Sequence, residues 1–255
     1  MLTRDTGICI RTVDYSETSQ VLTFFTRDHG KLAVIAKGSK RAKSAFGGPV
    51  EMFSCGPLMF AANQDRALAT LTEFTIDTPC PNPARLSADL YVLHGCLLAV
   101  ELLDHLTDEH DPHPDLYDAF VAFIADMCES AGAPGRREAL ALLILFELRL
   151  LMAVGLRPVL DRCVNCRTGI RDDACGYYFS SAANGLICRD CEGSFQDKVA
   201  LSPQVGACLT KLGTIAQAAP RTLRDLEKVL IGHFTQLMHR APRMAKYVLR
   251  HCPPS

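Results

Sequence analysis

Four cysteines are spaced for metal chemistry. Cys163-Val164-Asn165-Cys166 and Cys188-Arg189-Asp190-Cys191 form two CxxC pairs separated by the 21 residues Arg167 to Ile187. Each pair can aim two thiolates at one point, and four sulfurs complete the closed tetrahedron that a structural Zn2+ takes. Four unrelated buried thiols, or two disulfides, are the competing readings. Four thiolates leave no open position for water or substrate, so the pattern argues against a catalytic zinc. The segment between the pairs reads as a hairpin: Gly176-Tyr177-Tyr178-Phe179, a turn from Ser180 to Gly185, then Leu186-Ile187. A lobe of this size buries too little apolar surface to hold itself together, so the metal is expected to supply its cohesion.

A second group of residues is spaced for binding phosphate. Between Arg27 and Lys43 stand six basic residues (Arg27, Lys31, Lys37, Lys40, Arg41, Lys43) and one acid, Asp28, or about +5. The whole chain has 27 basic and 28 acidic residues, net −1, so the cationic charge is local rather than general. Lys31, Lys37, Lys40, Arg41 and Lys43 are predicted phosphate contacts. Gly38 and Ser39 are expected to let backbone N–H groups approach the ligand. Phe46 is the candidate for stacking on a base, while Phe24, Phe25 and Phe53 read better as core. A merely solvated basic loop is the competing reading. His110, Asp111 and His113 suit a solvated loop better than a weak metal site. No phosphate-binding GxxxxGK[ST] loop, HExxH or GxSxG motif occurs, which points to a binding protein rather than an enzyme.

The elements that must position these groups change type along the chain. Ile8 and Ile10 alternate with polar partners, and Val21 to Thr26 and Leu32 to Ala36 are β-rich runs. Arg27-Asp28-His29-Gly30 joins them, with Gly30 able to take the left-handed position. Further strands are predicted from Val50 to Phe53, running on through Leu58 to Ala61, and from Leu68 to Ile76, with Asn63-Gln64-Asp65 as the turn between. Five strands without helical pattern suit a small closed barrel such as an OB-fold, or alternatively an SH3-like barrel. Three prolines in Pro79-Cys80-Pro81-Asn82-Pro83 place the domain boundary.

Helical periodicity follows. Ser87 is the expected cap of a helix carrying Leu90, Leu93, Leu97, Val100 and Leu103. A second helix carries Leu116, Phe120, Phe123 and Met127 after an acidic loop, and is broken by 131–135. A third, Arg137 to Val154, is apolar almost all round. Glu147 and Arg149 near the middle of that run disfavour a membrane span and favour a buried central helix. Beyond the cysteine lobe, helices are predicted near Pro203 to Gln217, Thr222 to His239 and Arg243 to Leu249. The chain has 12 cysteines, but Met1-Leu2-Thr3-Arg4-Asp5 lacks the apolar core of a signal peptide, so a reducing cytosol is expected. Cys9, Cys55, Cys80, Cys96, Cys128, Cys208 and Cys252 are then small core residues, and Cys175 a conceivable spare ligand.

Taken together, these residues resemble the bacterial recombination mediator family RecO. In the barrel the likeness rests on Glu17-Thr18, Gly30-Lys31 and Ala36-Lys37-Gly38 with Arg41 and Ser44. In the helical part it rests on Tyr91, Glu101-Leu102 and Pro114-Asp115-Leu116-Tyr117. Its most specific block is Phe146-Glu147-Leu148-Arg149-Leu150-Leu151, through Gly155-Leu156-Arg157-Pro158, into Asp161-Arg162-Cys163-Val164-Asn165-Cys166. The resemblance implies an OB-fold followed by a helical domain that bears a zinc lobe. It also implies binding of single- and double-stranded DNA, strand annealing and, with RecR, loading of the RecA recombinase onto strands coated by single-strand-binding protein. The barrel departs from a strongly cationic surface, with nine basic against eight acidic residues up to Ala84.

The resulting expectation is an α+β, multi-domain chain. Residues 1–79 form an OB-fold DNA-binding barrel, and 80–255 an all-α domain with an inserted four-cysteine zinc-binding lobe at about 160–195. One structural Zn2+ is held by Cys163, Cys166, Cys188 and Cys191. The function expected is that of a non-enzymatic, cytoplasmic and nucleoid-associated recombination mediator. A zinc-containing adaptor without DNA binding, or an enzyme such as a deacetylase with a structural four-cysteine zinc, are the alternatives.

Overall fold

The computed structural model describes residues 2–41, 43–61, 68–76, 83–132, 136–170 and 176–250. The chain folds as two compact units, Met1–Asp89 with Thr107–Ala131, and Leu90–Leu106 with Gly132–Ser255.

The first unit is built on five strands: β1 (Leu2–Asp14), β2 (Gln20–Thr26), β3 (Gly30–Ala36), β4 (Cys55–Ala61) and β5 (Ala69–Phe74). They close in the order β1-β2-β3-β5-β4, an OB-fold barrel, with β3 and β5 parallel and the other neighbours antiparallel. β1 can pair with both β2 and β4 because it is long and its register shifts between Cys9 and Arg11, where a bulge bends it around the barrel. Alternate residues Leu22, Phe24, Leu32 and Val34 point inward and meet Leu58, Phe60, Leu71 and Phe74 in one core. Gly30 does take the left-handed conformation (φ 67°), and a Cβ there would collide with the backbone of Asp111.

The run Val50 to Phe53 is not a strand. The buried Gln20 side chain takes the place of a ladder partner: its Oε1 accepts from the Val50 N–H (2.9 Å) and its Nε2 donates to the Val50 carbonyl (3.2 Å). Phe53 then turns left-handed (φ 69°) with its N–H on the Cys9 carbonyl (2.7 Å), and the strand β4 begins only at Cys55. The Asn63 turn and the boundary residues 79–82 lie outside the described residues. Two helices complete this unit, α1 (Pro83–Ala88) and α3 (Pro114–Ser130). α3 lays Tyr117 and Phe120 against Phe25, with ring centroids 6.1 and 6.3 Å apart. Ser87 is therefore not a cap; it lies inside α1, which ends where the Asp89 N–H donates to Leu86.

The second unit holds α2 (Leu90–Leu106), α4 (Arg137–Ala153), α5 (Pro203–Thr210), α6 (Pro220–Met238) and α7 (Ala245–Arg250). α4 is the spine that the sequence predicts, burying ten of its residues against α2, α6 and their neighbours. The run predicted near Pro203 to Gln217 divides at Lys211 (φ −129°, ψ 79°), whose extended backbone ends α5 before a 3-10 turn. A small sheet, β6 (Tyr178–Ser180), β7 (Gly185–Ile187) and β8 (Val199–Ala200), is ordered β7-β6-β8 and belongs to the cysteine lobe. Among the described residues no helix is long and apolar enough to cross a membrane.

Candidate metal centre and nucleic-acid interface

The lobe brings its four cysteines together by two different devices. Cys163 and Cys166 sit on a tight turn in which the Arg167 N–H donates to the Cys163 carbonyl (3.0 Å) and the Cys163 N–H to Thr168 (2.8 Å). Arg167 closes that turn with φ 62°. Cys188 and Cys191 open a 3-10 turn, Arg189–Ser194, directly after β7, with the Cys191 N–H on the Cys188 carbonyl (3.1 Å). The β6–β7 hairpin joins the two devices. Gly185 lets it approach residue 159 so closely that a Cβ would strike the Val159 carbonyl, and the Leu186 N–H donates to that same oxygen (2.9 Å).

The outcome is one cluster whose four Sγ atoms all lie within 4.8 Å of one another, able to hold a metal ion. Cys166 and Cys188 sulfurs stand 3.6 Å apart, well beyond the ~2.05 Å of a disulfide bond. The surroundings shift two of the thiols toward the thiolate form. Burial pushes the Cys163 thiol up, but the backbone N–H groups of Cys188, Cys166 and Asn165 outweigh it and leave it below the usual thiol range. The hydroxyl and amide of Thr168 bring Cys166 down to about 6. Cys188 goes the other way, to about 12, because burial and shared protons with Cys191 and Cys166 favour its neutral form. The Asn165 side-chain amide donates to the Cys191 sulfur at 3.3 Å. Asn165 and Thr168 are contributors that the CxxC spacing does not reveal. Cys175 lies outside the described residues.

In the barrel unit, the basic run resolves into residues with different fates. Lys31, on β3, is 8% exposed and its backbone pairs with Glu109 in a parallel β-bridge, so it offers little surface to a phosphate. Arg27 is spent on a two-point pair with Asp118 (3.0 and 3.1 Å). Lys40 holds the Asp14 carboxylate at 2.8 Å. Lys37, Arg41 and Lys43 are exposed, and among the described residues none of the three forms an ion pair. Phe46 is half-buried against the barrel core, so its position is that of a packing residue rather than an open ring.

The backbone donors of the turn, expected to face a ligand, are engaged within the barrel. The Gly38 N–H donates to Ser19 Oγ (3.3 Å), the Lys40 N–H to Thr18 (3.1 Å) and the Arg41 N–H to Gly38 (3.1 Å). Ser39 is fully buried, with its hydroxyl on Gln20 Oε1 (2.9 Å). The Gly38 and Lys40 amides hold the turn against the β1–β2 connection and the Arg41 amide closes it on itself, so none of the three points to a ligand. The turn is thus a rigid base, and its charged side chains are what it offers to solvent. His113 bonds Asp111 (3.1 Å), while His110 stands left-handed (φ 59°) with its N–H on the Lys31 carbonyl, a loop tied to the barrel edge.

Two protein-family models match the chain: Recombination protein O N terminal over residues 1–79 and Recombination protein O C terminal over residues 87–245. Curated relatives agree. The DNA repair protein RecO of Bacillus pumilus (strain SAFR-032) is 28% identical over 244 residues, covering 92% of this chain and 89% of that protein. That of Anaeromyxobacter dehalogenans (strain 2CP-C) is 30% identical over 220 residues, 86% and 82% of the two chains. That of Syntrophus aciditrophicus (strain SB) reaches 32% over 185 residues, 72% and 68%.

Proposed function

The chain belongs to the recombination protein O family, whose relatives are DNA repair proteins, and from that premise we propose that it is a DNA-binding recombination mediator. In this reading it binds and anneals single-stranded DNA and, with RecR, helps load RecA onto strands coated by single-strand-binding protein. It works in the cytoplasm, associated with the nucleoid. The observation that carries the DNA part is the cationic side-chain set Lys37, Arg41 and Lys43, exposed on a turn that the Gly38 and Lys40 amides and the Ser39 hydroxyl fasten to the end of an OB barrel. Annealing needs no catalytic group. Cations on a rigid surface neutralise two polyanions at once, which reduces their repulsion and lets bases pair. We accordingly propose that the chain is not an enzyme; ATP turnover that purifies with it and disappears in a point variant would overturn this.

The metal is assigned as one structural Zn2+. At ~2.3 Å Zn–S bonds, a tetrahedral site places its sulfurs ~3.8 Å apart, and the cluster found here is of that size. Cys163, Cys166, Cys188 and Cys191 would hold the ion, which when bound cross-links the turn at Cys163 to the one at Cys188.

The test of the DNA reading is a salt series with a labelled oligothymidylate. Each phosphate neutralised on a single strand contributes a slope of about −0.7 to log affinity against log salt. Lys37, Arg41 and Lys43 together therefore give about −2, whereas the five cations of the sequence expectation would give about −3.5. Lys37→Ala with Arg41→Ala should flatten the slope by about 1.4 units for every sequence alike, because phosphate contacts carry no base information. A double variant with wild-type slope and affinity would reduce the turn to a solvated surface and leave the adaptor reading.

A further inference from the structure

We propose that Tyr15 is a base-stacking platform beside the cationic turn, a subsite for an unpaired nucleobase; the proposal deepens the DNA-binding reading and rests on it. Tyr15 is 67% exposed, the most exposed of the large apolar side chains among the described residues and the only aromatic one in that group. Its backbone is held in place: the Tyr15 N–H and the Ser16 N–H both donate to the Ser19 carbonyl (3.0 and 3.2 Å).

The same short connection between β1 and β2 is what the cationic turn is fastened to. Thr18 accepts from the Lys40 amide, Ser19 Oγ from the Gly38 amide, and Asp14, the residue before Tyr15, holds the Lys40 ammonium. Tyr15 and Lys37, Lys40 and Arg41 are thereby parts of one anchored end of the barrel. Asp14 and Glu17 are the carboxylates there, against four cations counting Lys43, so the local balance stays positive.

An exposed ring on a rigid backbone next to phosphate-seeking side chains is the combination that single-strand binders use. Backbone charges track the phosphates while the ring takes the face of a base. A tyrosine loses little freedom on stacking, since only two torsions are fixed. A duplex hides its base faces within the stack. Tyr15 therefore adds affinity for single strands and not for duplex, which makes it a determinant of strand preference.

The experiment uses the full chain and a labelled oligothymidylate, with a blunt duplex of equal length as control. Tyr15→Leu should weaken single-strand binding by about 5- to 100-fold, leave the salt slope unchanged and leave duplex binding within twofold. Tyr15→Phe should retain single-strand affinity, because the ring and not the hydroxyl does the stacking. The chain has no tryptophan, so Tyr15→Trp places a single indole in the molecule, and its emission should be quenched as the oligonucleotide saturates. Wild-type binding with its full salt slope, combined with unchanged affinity in Tyr15→Leu and no quenching in Tyr15→Trp, overturns the stacking site alone. Absence of any salt-dependent binding by the wild type overturns the DNA reading and this subsite together.

Discussion

Stripping the metal with a chelator is expected to release the lobe spanning 156–200 from its fold while the barrel unit stays intact. The reason is the poverty of the lobe's own core. Among the described residues the cluster around the cysteines has Ile187 as its one fully buried hydrocarbon side chain, with Val164, Tyr178 and Phe195 packed part-way against it. So small a cluster supplies little of the burial that offsets the entropy of ordering the chain. A four-cysteine zinc contributes about 10–16 kcal/mol at neutral pH, as much as the whole net stability of a typical domain. Phe179 is the other anchor, edge-on to His233 of α6 at 5.3 Å, so this end of β6 should be the last part to loosen.

Elemental analysis of the purified protein should give close to one zinc per chain. Amide exchange should show protection at Leu186 and Cys163, both with bonded N–H groups, disappearing on chelation. Cys163→Ser should be more damaging than Cys166→Ser, because Cys163 is fully buried in the cluster and Cys166 is exposed. Zinc below half an equivalent, with the lobe still protected from exchange, would show that the lobe holds itself together without a metal.

How far the sequence anticipates these features follows from how local each one is. The CxxC pairs, the β6–β7 hairpin and the left-handed Gly30 are short-range signals, and each is found where its spacing places it. The strands of the barrel are visible because inward Leu22, Phe24, Leu32 and Val34 alternate with outward residues. What stays hidden depends on partners distant in the chain. Gln20 replaces a strand partner for Val50 thirty residues away, and nothing near Val50 signals it. Asp14 neutralises Lys40 across 26 residues, and Asp118 takes Arg27 across 91, so a count of charges along the run overstates what the surface offers. Phe46 is an aromatic in a basic loop, yet it folds back on the core, and Tyr15 is the ring left open. The acidic residue inside the most apolar helix is a similar case. Glu147 argues against a membrane span in the sequence, but only the fold reveals that its neighbour is another acid.

That neighbour sets the last expected result: the helical unit should lose stability as pH rises from about 6.5 to 8. Glu147 of α4 and Glu227 of α6 are both fully buried, and among the described residues none of their four carboxyl oxygens has a hydrogen-bond partner. Burial lifts Glu147 well above the ordinary carboxylate range, and the neighbouring charge of Glu227 lifts it further. Burial also lifts Glu227, though the nearby Glu147 carboxyl draws it partly back, to about 8. Both groups are thus protonated in the native state at pH values where the unfolded chain, with its glutamates titrating near 4.3, has released the protons. The native state then binds more protons than the unfolded one, and stability must fall with rising pH by about 1.4 kcal/mol per pH unit for each proton so held. The stabilising contribution is complete below the unfolded value and is lost as pH climbs through about 8.

His233 acts in the opposite direction. Burial lowers it to about 4, so its contribution is present above about 6.5 and lost as pH falls. Below pH 6.5 it offsets one of the two glutamates, and above that the carboxyl pair acts alone. Between pH 6.5 and 8 the expected decrease is therefore about 2–4 kcal/mol, large beside the 5–15 kcal/mol that holds a typical domain together. Glu147→Gln combined with Glu227→Gln keeps the shapes and removes both titrations. Amide exchange of α4 and α6 should then be equally slow at pH 6.5 and pH 8 once corrected for intrinsic rates, whereas the wild type should open more readily at pH 8 by one to three orders of magnitude. Equal protection of the wild type at both values would mean that the pair carries its charge within the core, with a counter-charge from another group.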